Sequence, residues 1–326
     1  MTQTAFEKLL AEKINLSASH ISQGSTSHNY VRGLLTNKSF EKNDLPWIID
    51  GDFLSGSYAR GTKIYPLDDI DVMIVMDGTG LFPIQNGARL NAAVRGDGEM
   101  GSPAHYHTNE LGYISSIKIL ESFKKHLQIS YPDSEIKKDG QAVNVWLNSY
   151  GLGLDIVPCF HIIPNDGSQD YYYIPYGRGN DMWMTTNPQI DSAISDQLHI
   201  RFDKKLKPII KIIKYWNQIA NYDRLRSYHL EVIAWYVFDN YQFQISSYLT
   251  ALKYFFDNAN NYLSAACPDP TRLGDSIDTY LDSASRRLSM QKIAETGQLL
   301  NNASPFNHRL QIINLKKIFG DDFGNL

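Results

Sequence analysis

Three aspartates on two predicted strands are the residues of this sequence best suited to chemistry. Asp69 and Asp71 stand one residue apart at the start of a run of strand-forming residues. Because side chains alternate between the two faces of a strand, both carboxylates point the same way. Asp155 lies between apolar residues in a later predicted strand. If these two strands are neighbours, three carboxylates converge on one face of a sheet.

Converging carboxylates indicate a site for divalent cations. Like charges side by side are unfavourable unless a cation lies between them. Mg²⁺ prefers oxygen ligands and is commonly shared with the phosphates of a substrate. Two such ions, about 3.5–4 Å apart, activate an attacking hydroxyl and stabilise a leaving pyrophosphate. The simpler interpretation, a strand end whose acids face water, is disfavoured by the residues that precede the pair.

A glycine-serine turn lies about a dozen residues before the two acids. Gly56 has no side chain, so the backbone there approaches another group closely. Ser57 stands at a plausible helix start and is a suitable capping residue. The free amides of a helix N-terminus are a good cradle for phosphate. Together with the carboxylates, this turn predicts a site for phosphoryl transfer.

The elements that must position these residues divide the chain into two lobes. The 326 residues, of which 43% are hydrophobic, suffice for two cores. Strands and helices alternate in residues 1–190, where Gly151–Pro158 is a predicted strand ending at its proline. Gly78–Leu111 is rich in Gly and Asn and predicts an irregular loop excursion. Residues 191–326 show helical spacing almost throughout, for example over Leu206–Ala220 and Thr271–Thr296.

Composition argues against several other classes of protein. The net charge is −4, and no basic cluster is present to hold a long nucleic acid. The two cysteines, Cys159 and Cys267, are too few for a cysteine-based zinc site or a disulfide framework. The N-terminus lacks a signal-peptide pattern, and no apolar run approaches 18 residues. These features predict a cytoplasmic protein without a membrane segment.

Five sequence blocks, in order, resemble a known group of enzymes. "GSYARGT" followed by "DDIDVMIVM" resembles the signature of the DNA polymerase beta-like nucleotidyltransferases, and the later "LDIVP" is similar to their third acid. "IPYGRGNDMWMTTNP", "IIKIIKYWNQ" and "SYHLE" resemble segments of cyclic GMP-AMP synthase, oligoadenylate synthase and the bacterial CD-NTases. The resemblance implies an α+β fold, in which a polymerase beta-like lobe with a mixed sheet and helices packs on a helical nucleotide-binding lobe.

The resemblance also implies roles for individual residues. Three acids match the metal-binding positions, which would hold two Mg²⁺ or Mn²⁺ ions: Asp69, Asp71 and Asp155. Five further residues match nucleotide-binding positions: Gly56, Ser57, Lys214 and Ser227 for the donor phosphates, and Tyr228 for base stacking. Because they fall in both predicted lobes, we expect the nucleotide to bridge the lobes.

Among these relatives, the bacterial CD-NTases of cyclic-oligonucleotide antiphage signalling (CBASS) resemble this chain best. The chain has too few cysteines for the zinc insert of cyclic GMP-AMP synthase and is acidic, unlike the basic RNA-binding face of oligoadenylate synthase. The resemblance implies synthesis of a cyclic di- or trinucleotide from ribonucleoside triphosphates, with no DNA or RNA activator and a downstream effector reached through the product. Two alternatives stay open: a template-independent terminal nucleotidyltransferase acting on RNA or protein, and an inactive nucleotide-binding module.

Overall fold

The protein has a mixed α+β architecture in two compact units. The structure, a computed structural model, describes residues 2–36, 45–49, 51–84, 93–96, 107–177, 181–302 and 308–324. The sheet unit comprises Ser17–Ala59 and Leu67–Ile190. The helical unit comprises Met1–Leu16, Arg60–Pro66 and Asp191–Leu326. None of the helices in the described ranges is long and apolar enough to cross a lipid bilayer.

A mixed sheet forms the centre of the sheet unit. Its strands are β1 (Phe53–Ser55), β2 (Ile70–Val75), β5 (Glu135–Asp139), β6 (Ala142–Leu147), β7 (Leu152–Ile162), β8 (Tyr171–Pro175) and β9 (Trp183–Thr186). The strand order is β1-β2-β7-β6-β5, and β8 pairs with β7 and β9. Only the β2–β7 pairing in this sheet is parallel. The helices of the unit are α2 (Ala18–Leu35), α3 (Gly56–Ala59) and α4 (Ser116–Ser130).

The strand β7 continues past Pro158, where the sequence predicted its end. Proline cannot donate a backbone hydrogen bond, so it usually interrupts a central strand. Here the pairing of β7 with β6 ends at Ile156, and its pairing with β8 begins at Phe160. Pro158 falls in the gap between these two pairings, while β2 supports the strand through its other edge. The lack of an N–H group on Pro158 therefore removes no hydrogen bond between β7 and either β6 or β8.

The predicted loop excursion Gly78–Leu111 contains a small sheet. The strands β3 (Leu81–Ile84) and β4 (Ala93–Gly96) pair antiparallel. Each has four residues, too few for an alternating pattern to stand out against the surrounding glycines. Residues 85–92 and 97–106 of the excursion lie outside the described residues.

The helical unit is built mainly from the second part of the chain. Its helices are α1 (Thr2–Leu9), a π-helix (Leu10–Ile14), α5 (Pro188–Arg201), α6 (Leu206–Ala220), α7 (Ser227–Asp239), α8 (Tyr248–Leu263), α9 (Ser283–Asn301) and α10 (His308–Phe319). The bounds predicted for α6, Leu206–Ala220, are those found in the structure. The helix predicted over Thr271–Thr296 begins only at Ser283, because the carboxylate of Asp282 caps it by accepting from the amides of the next turn.

The N-terminal segment packs with the helical unit, whereas the sequence predicts that it belongs to a first lobe of residues 1–190. The reason is aromatic packing: Phe6 is fully buried and contacts Tyr248, Phe319 and Phe323 edge to face, with ring centroids 5.0–6.1 Å apart. The division into functional lobes of residues 1–190 and 191–326 stays a prediction.

A buried charge cluster ties Arg60–Pro66 to the helical unit. Glu231 of α7 is fully buried and accepts a hydrogen bond from Arg60 Nε at 2.9 Å. The same carboxylate accepts from Lys214 Nζ of α6. Lys214 also donates to the carbonyl of Thr62 at 3.1 Å. One carboxylate therefore holds two buried cations from different segments of the chain.

The two cations determine the ionisation of Glu231. Burial alone would raise the pKa of this carboxyl, but Lys214 and Arg60 hold the pKa well below its usual range. Burial lowers the pKa of the Lys214 ammonium, and Glu231 opposes that shift. Each charge is thus kept inside the protein by the opposite charge beside it.

Replacing Glu231 by glutamine is expected to lower the free energy of unfolding at pH 7 by roughly 3–5 kcal/mol, because Lys214 and Arg60 would remain buried without a carboxylate. Urea unfolding followed by circular dichroism measures the loss. The control is Glu295→Gln on α9, an exposed position where we expect a change within about 0.5 kcal/mol.

The loss from Glu231→Gln should also depend on pH. Since the folded-state pKa is depressed, the stability contributed by Glu231 is present above its ordinary pKa of 4.5 and is lost as the pH falls further. The difference between the wild-type chain and the variant should therefore shrink below pH 4.5. Equal losses in the Glu231 and Glu295 variants would show that the cluster contributes nothing particular.

Candidate active site

Two of the predicted metal-binding acids lie side by side on adjacent strands. The parallel pairing of β2 with β7 places Asp71 directly opposite Asp155. Neighbouring strands are about 4.8 Å apart, and residues in register present their side chains on the same face. Asp69 comes immediately before β2, two positions from Asp71, and all three carboxylates are half-buried. The two strands are therefore neighbours, as the convergence of the carboxylates on one face requires.

Asn144 orients the carboxylate of Asp155. It lies opposite Asp155 in the antiparallel pairing of β6 with β7. Its Nδ2 donates a hydrogen bond of 2.8 Å to Oδ1 of Asp155. An amide donor on the flank of the aspartate holds the carboxylate in one orientation.

The glycine-serine turn lies directly against Asp71. Gly56 has φ +66°, a conformation that favours glycine. A Cβ atom built on Gly56 would lie 1.7 Å from Oδ2 of Asp71, so any side chain there would displace the carboxylate. The close approach predicted for this glycine is therefore to the acid itself.

Ser57 lies in a helix of a single turn. The helix α3 runs only from Gly56 to Ala59. A helix dipole builds up over several turns, so it adds little here. The potential phosphate donors of this turn are its backbone amides and the hydroxyl of Ser57. This is a weaker cradle than the full helix N-terminus that the sequence suggested.

A second glycine fixes the start of β7 against the acidic segment. The amide of Gly153 donates to the carbonyl of Asp68 at 3.0 Å. A Cβ on Gly153 would lie 2.4 Å from that carbonyl oxygen. The strand that carries Asp155 is thereby attached to the residue that precedes Asp69.

The donor set suits a hard divalent cation. Half-buried carboxylate oxygens on one sheet face are the ligands that Mg²⁺ and Mn²⁺ prefer. Within the described ranges, no group of three or more Asp, Glu, His or Cys side chains is arranged so that it could hold a metal ion as it stands. The fit therefore rests on the chemistry and register of the aspartates.

The other predicted nucleotide-binding residues lie at α6 and α7 in the helical unit. Lys214 belongs to the buried cluster around Glu231. Ser227 is exposed and is the first residue of α7. Tyr228 is half-buried, and its ring centroid lies 5.5 Å from the guanidinium carbon of Arg60. Arg60 therefore contacts both the ring of Tyr228 and the carboxylate of Glu231, which is also the partner of Lys214. Ser227 faces solvent.

The hydroxyl of Tyr228 is anchored by a buried aspartate. It donates a hydrogen bond of 2.9 Å to Oδ1 of Asp191, which is only 7% exposed. Burial raises the pKa of Asp191 to about 6, although Arg60 and Tyr228 both favour the charged form. The orientation of the Tyr228 ring therefore depends on a carboxyl that titrates close to neutral pH.

We expect Asp191→Asn to become progressively more stable than the wild-type chain between pH 4 and pH 7. An acid whose folded-state pKa is raised stabilises the fold while protonated, below its ordinary pKa of 3.8, and loses that contribution as the pH rises through about 6. The relative gain should reach about 3 kcal/mol at pH 7, since one pKa unit is worth about 1.4 kcal/mol. Asparagine keeps the acceptor for Tyr228.

Urea denaturation at pH 4, 5, 6 and 7 tests this expectation, with Asp203→Asn at an exposed position as the control. A stability difference that does not change over this range would show that Asp191 titrates normally.

Four residues that contact predicted site residues or their partners were not found from the sequence: Arg60, Asn144, Asp191 and Glu231. Glu231 carried a usable signal, because it is the one acid in the apolar run "HLEVIAWYVF" of α7. An acid within a buried face needs a cationic partner. Nothing local identifies its partners, since Lys214 lies 17 positions away and Arg60 171.

Sequence comparisons agree with this geometry. Residues 1–89 match the Second Messenger Oligonucleotide or Dinucleotide Synthetase (SMODS) domain family. A protein of Bacillus cereus (strain VD146), named probable cyclic nucleotide synthase, is 28% identical over 98% of this chain and 97% of its own length. The alignment therefore spans nearly the whole of both sequences.

Solved structures share the fold. CdnC of E. coli MS115-1, solved with ATP, superposes with a TM-score of 0.71 at 16% identity, over 99% of both chains. Vibrio cholerae DncV in its 3'-deoxy ATP bound form gives a TM-score of 0.70 at 14% identity, over 99% of this chain and 96% of DncV. These likenesses confirm the polymerase beta-like fold. The synthetase domain match covers the segment that carries the glycine-serine turn, Asp69 and Asp71, and the similarity to the Bacillus cereus protein extends over nearly the whole chain.

Proposed function

We propose that this protein is a metal-dependent nucleotidyltransferase that makes a cyclic di- or trinucleotide second messenger from ribonucleoside triphosphates, in CBASS antiphage defence. The observation that carries the proposal is the register of Asp71 with Asp155 on parallel strands, with the Gly56 turn against Asp71. Support also comes from the full-length relative named as a cyclic nucleotide synthase and from the ATP and 3'-deoxy ATP complexes of CdnC and DncV.

In this proposal Asp69, Asp71 and Asp155 hold two Mg²⁺ or Mn²⁺ ions. When bound, such ions lower the pKa of an attacking hydroxyl and neutralise charge on the leaving pyrophosphate. The close contact of Gly56 with Asp71 matters here, because it keeps the carboxylate and the phosphate-binding turn adjacent.

The chain's own groups carry the remaining steps. The turn at Gly56 and Ser57 binds the donor triphosphate by donating hydrogen bonds to phosphate oxygens. Asp155, oriented by Asn144, accepts the proton of the acceptor ribose hydroxyl. The hydroxyl oxygen forms a bond to the α-phosphorus as the bond to pyrophosphate breaks. A second round at the same site closes the linear product into a ring.

Lys214, Ser227 and Tyr228 complete the proposed nucleotide site. An ammonium has three N–H donors, and Lys214 directs two of them to Glu231 and Thr62. The third is assigned to a donor phosphate oxygen, as is the hydroxyl of Ser227. The ring of Tyr228 stacks on a base, a contact worth about 1–3 kcal/mol.

The double variant Asp69→Asn, Asp71→Asn is expected to release no detectable pyrophosphate from any ribonucleoside triphosphate. It should remain folded and be at least as stable as the wild-type chain, because repulsion between two carboxylates is removed. Asp68→Asn, one position earlier, is the matched control and should keep its activity. Undiminished turnover in the double variant would refute the assignment of these acids.

The product is expected to be a ring of two or three nucleotides, formed without DNA or RNA. Purified, nuclease-treated enzyme is incubated with all four ribonucleoside triphosphates and Mg²⁺ or Mn²⁺, and the products are read by mass spectrometry before and after phosphatase. A cyclic product resists phosphatase because it has no terminal phosphate. A ladder of lengthening linear chains, or activity only after duplex DNA or RNA is added, would contradict this proposal.

A further inference from the structure

A cavity lined in part by lysines lies entirely within the helical unit. It encloses about 410 Å³, within the size range of small-molecule sites. Three lysines line it: Lys204, between α5 and α6, and Lys207 and Lys211 of α6. Asn15, directly after the N-terminal π-helix, also lines the cavity. This cavity is formed by none of the proposed site residues.

Positive charge dominates the cavity. Lys207 and Lys211 are four positions apart on α6, where like charges destabilise a helix. Lys207 Nζ donates to Oδ1 of Asp196 at 2.6 Å, and Glu7 is the one carboxylate among the lining residues. Three ammonium groups therefore face two nearby carboxylates, and an anion in the cavity would offset the excess.

Lys211 shows that this excess charge is not cancelled by its surroundings. Its Nζ donates to the amide oxygen of Asn15 at 3.1 Å, a neutral acceptor. Burial lowers the pKa of Lys211, and the neighbouring Lys214 and Lys207 lower it further. A phosphate oxygen is a better acceptor for such a half-buried ammonium than an amide, because the bond to it is charge-assisted.

Lys204, the third lysine of the cavity, lies in a segment with an unusual backbone conformation. Asp203 and Lys204 have φ of +50° and +61°, two consecutive left-handed residues without a glycine. Such conformations cost of order 1 kcal/mol each and cluster at functional sites. The amide of Lys204 donates to the carbonyl of His199 at 2.8 Å, which fixes the turn that brings this lysine to the cavity.

We propose that this cavity binds a small polyanion that carries a chain of phosphates. Lysine ammonium groups are compact point charges that suit phosphate oxygens. The volume accommodates a few phosphates, and the net charge of −4 disfavours a long nucleic acid. The binding is separate from the proposed activity and does not depend on the aspartates.

The location links the cavity to the buried cluster around Glu231. Lys211 lies one helical turn before Lys214, and Gly61, which also lines the cavity, follows Arg60. Negative charge placed here stabilises the charged forms of Lys211 and Lys214. An occupied cavity would thereby strengthen the electrostatic environment that holds Lys214.

Calorimetry with inorganic tripolyphosphate tests the proposal, using the full-length chain in EDTA so that metal-dependent binding at the aspartates is absent. We expect one site per chain and at least about tenfold weaker binding in Lys207→Gln, Lys211→Gln, since two charge-assisted contacts are lost. The control Lys124→Gln, Lys125→Gln removes the same charge from α4 and should bind normally, as should Asp69→Asn, Asp71→Asn.

Comparing ATP with tripolyphosphate identifies what is recognised. Equal affinities support recognition of the phosphate chain alone, and tighter binding of ATP supports a nucleotide. If the Lys207, Lys211 variant does not fold, Lys204→Gln at the exposed position replaces it, with an expected loss of at least about threefold.

Four results would overturn the proposal: no binding by the wild-type chain, equal losses in the lysine variant and its α4 control, loss only in the aspartate variant, or binding of duplex DNA in place of tripolyphosphate.

Discussion

The parallel register between β2 and β7 is the constraint on which the candidate site depends. It places Asp71 opposite Asp155, and a slip of one residue would turn one of these carboxylates to the other face of the sheet. Two close approaches hold that arrangement. The backbone of Gly56 lies against the carboxylate of Asp71, and the amide of Gly153 donates a hydrogen bond to the carbonyl of Asp68. Glycine is required at both places because another atom occupies the space of its Cβ.

Charged side chains are arranged differently in the two units. On the sheet, half-buried carboxylates of like charge share one face, an arrangement suited to binding cations. In the helical unit, each buried charge of the central cluster is matched inside the protein, with Glu231 between Arg60 and Lys214. Such matching stabilises the fold only while the cluster is complete, because each ion has lost its water. The sheet face thus leaves its negative charge to be offset by a bound cation, whereas the helical cluster offsets the charge of Glu231 with its own residues.

Most of the candidate site was predictable because its signals are local. The alternation of Asp69 and Asp71, the glycine-serine turn, and an acid in a second strand all lie within short segments, and strand periodicity alone places them on faces. The boundaries of α6 follow equally from the spacing of apolar residues. The α+β architecture and the resemblance to CD-NTases came from the same local blocks.

The remaining features depend on contacts between distant positions. The choice of β7 as the neighbour of β2, the membership of the N-terminal helix in the helical unit, and the pairing of Arg60 with Glu231 join segments that are far apart in the chain. The sequence alone determined which faces are apolar and which short segments carry carboxylates, because these depend on neighbours within a few residues. Only the tertiary structure decided which of those faces meet, since burying one face against another depends on the whole chain.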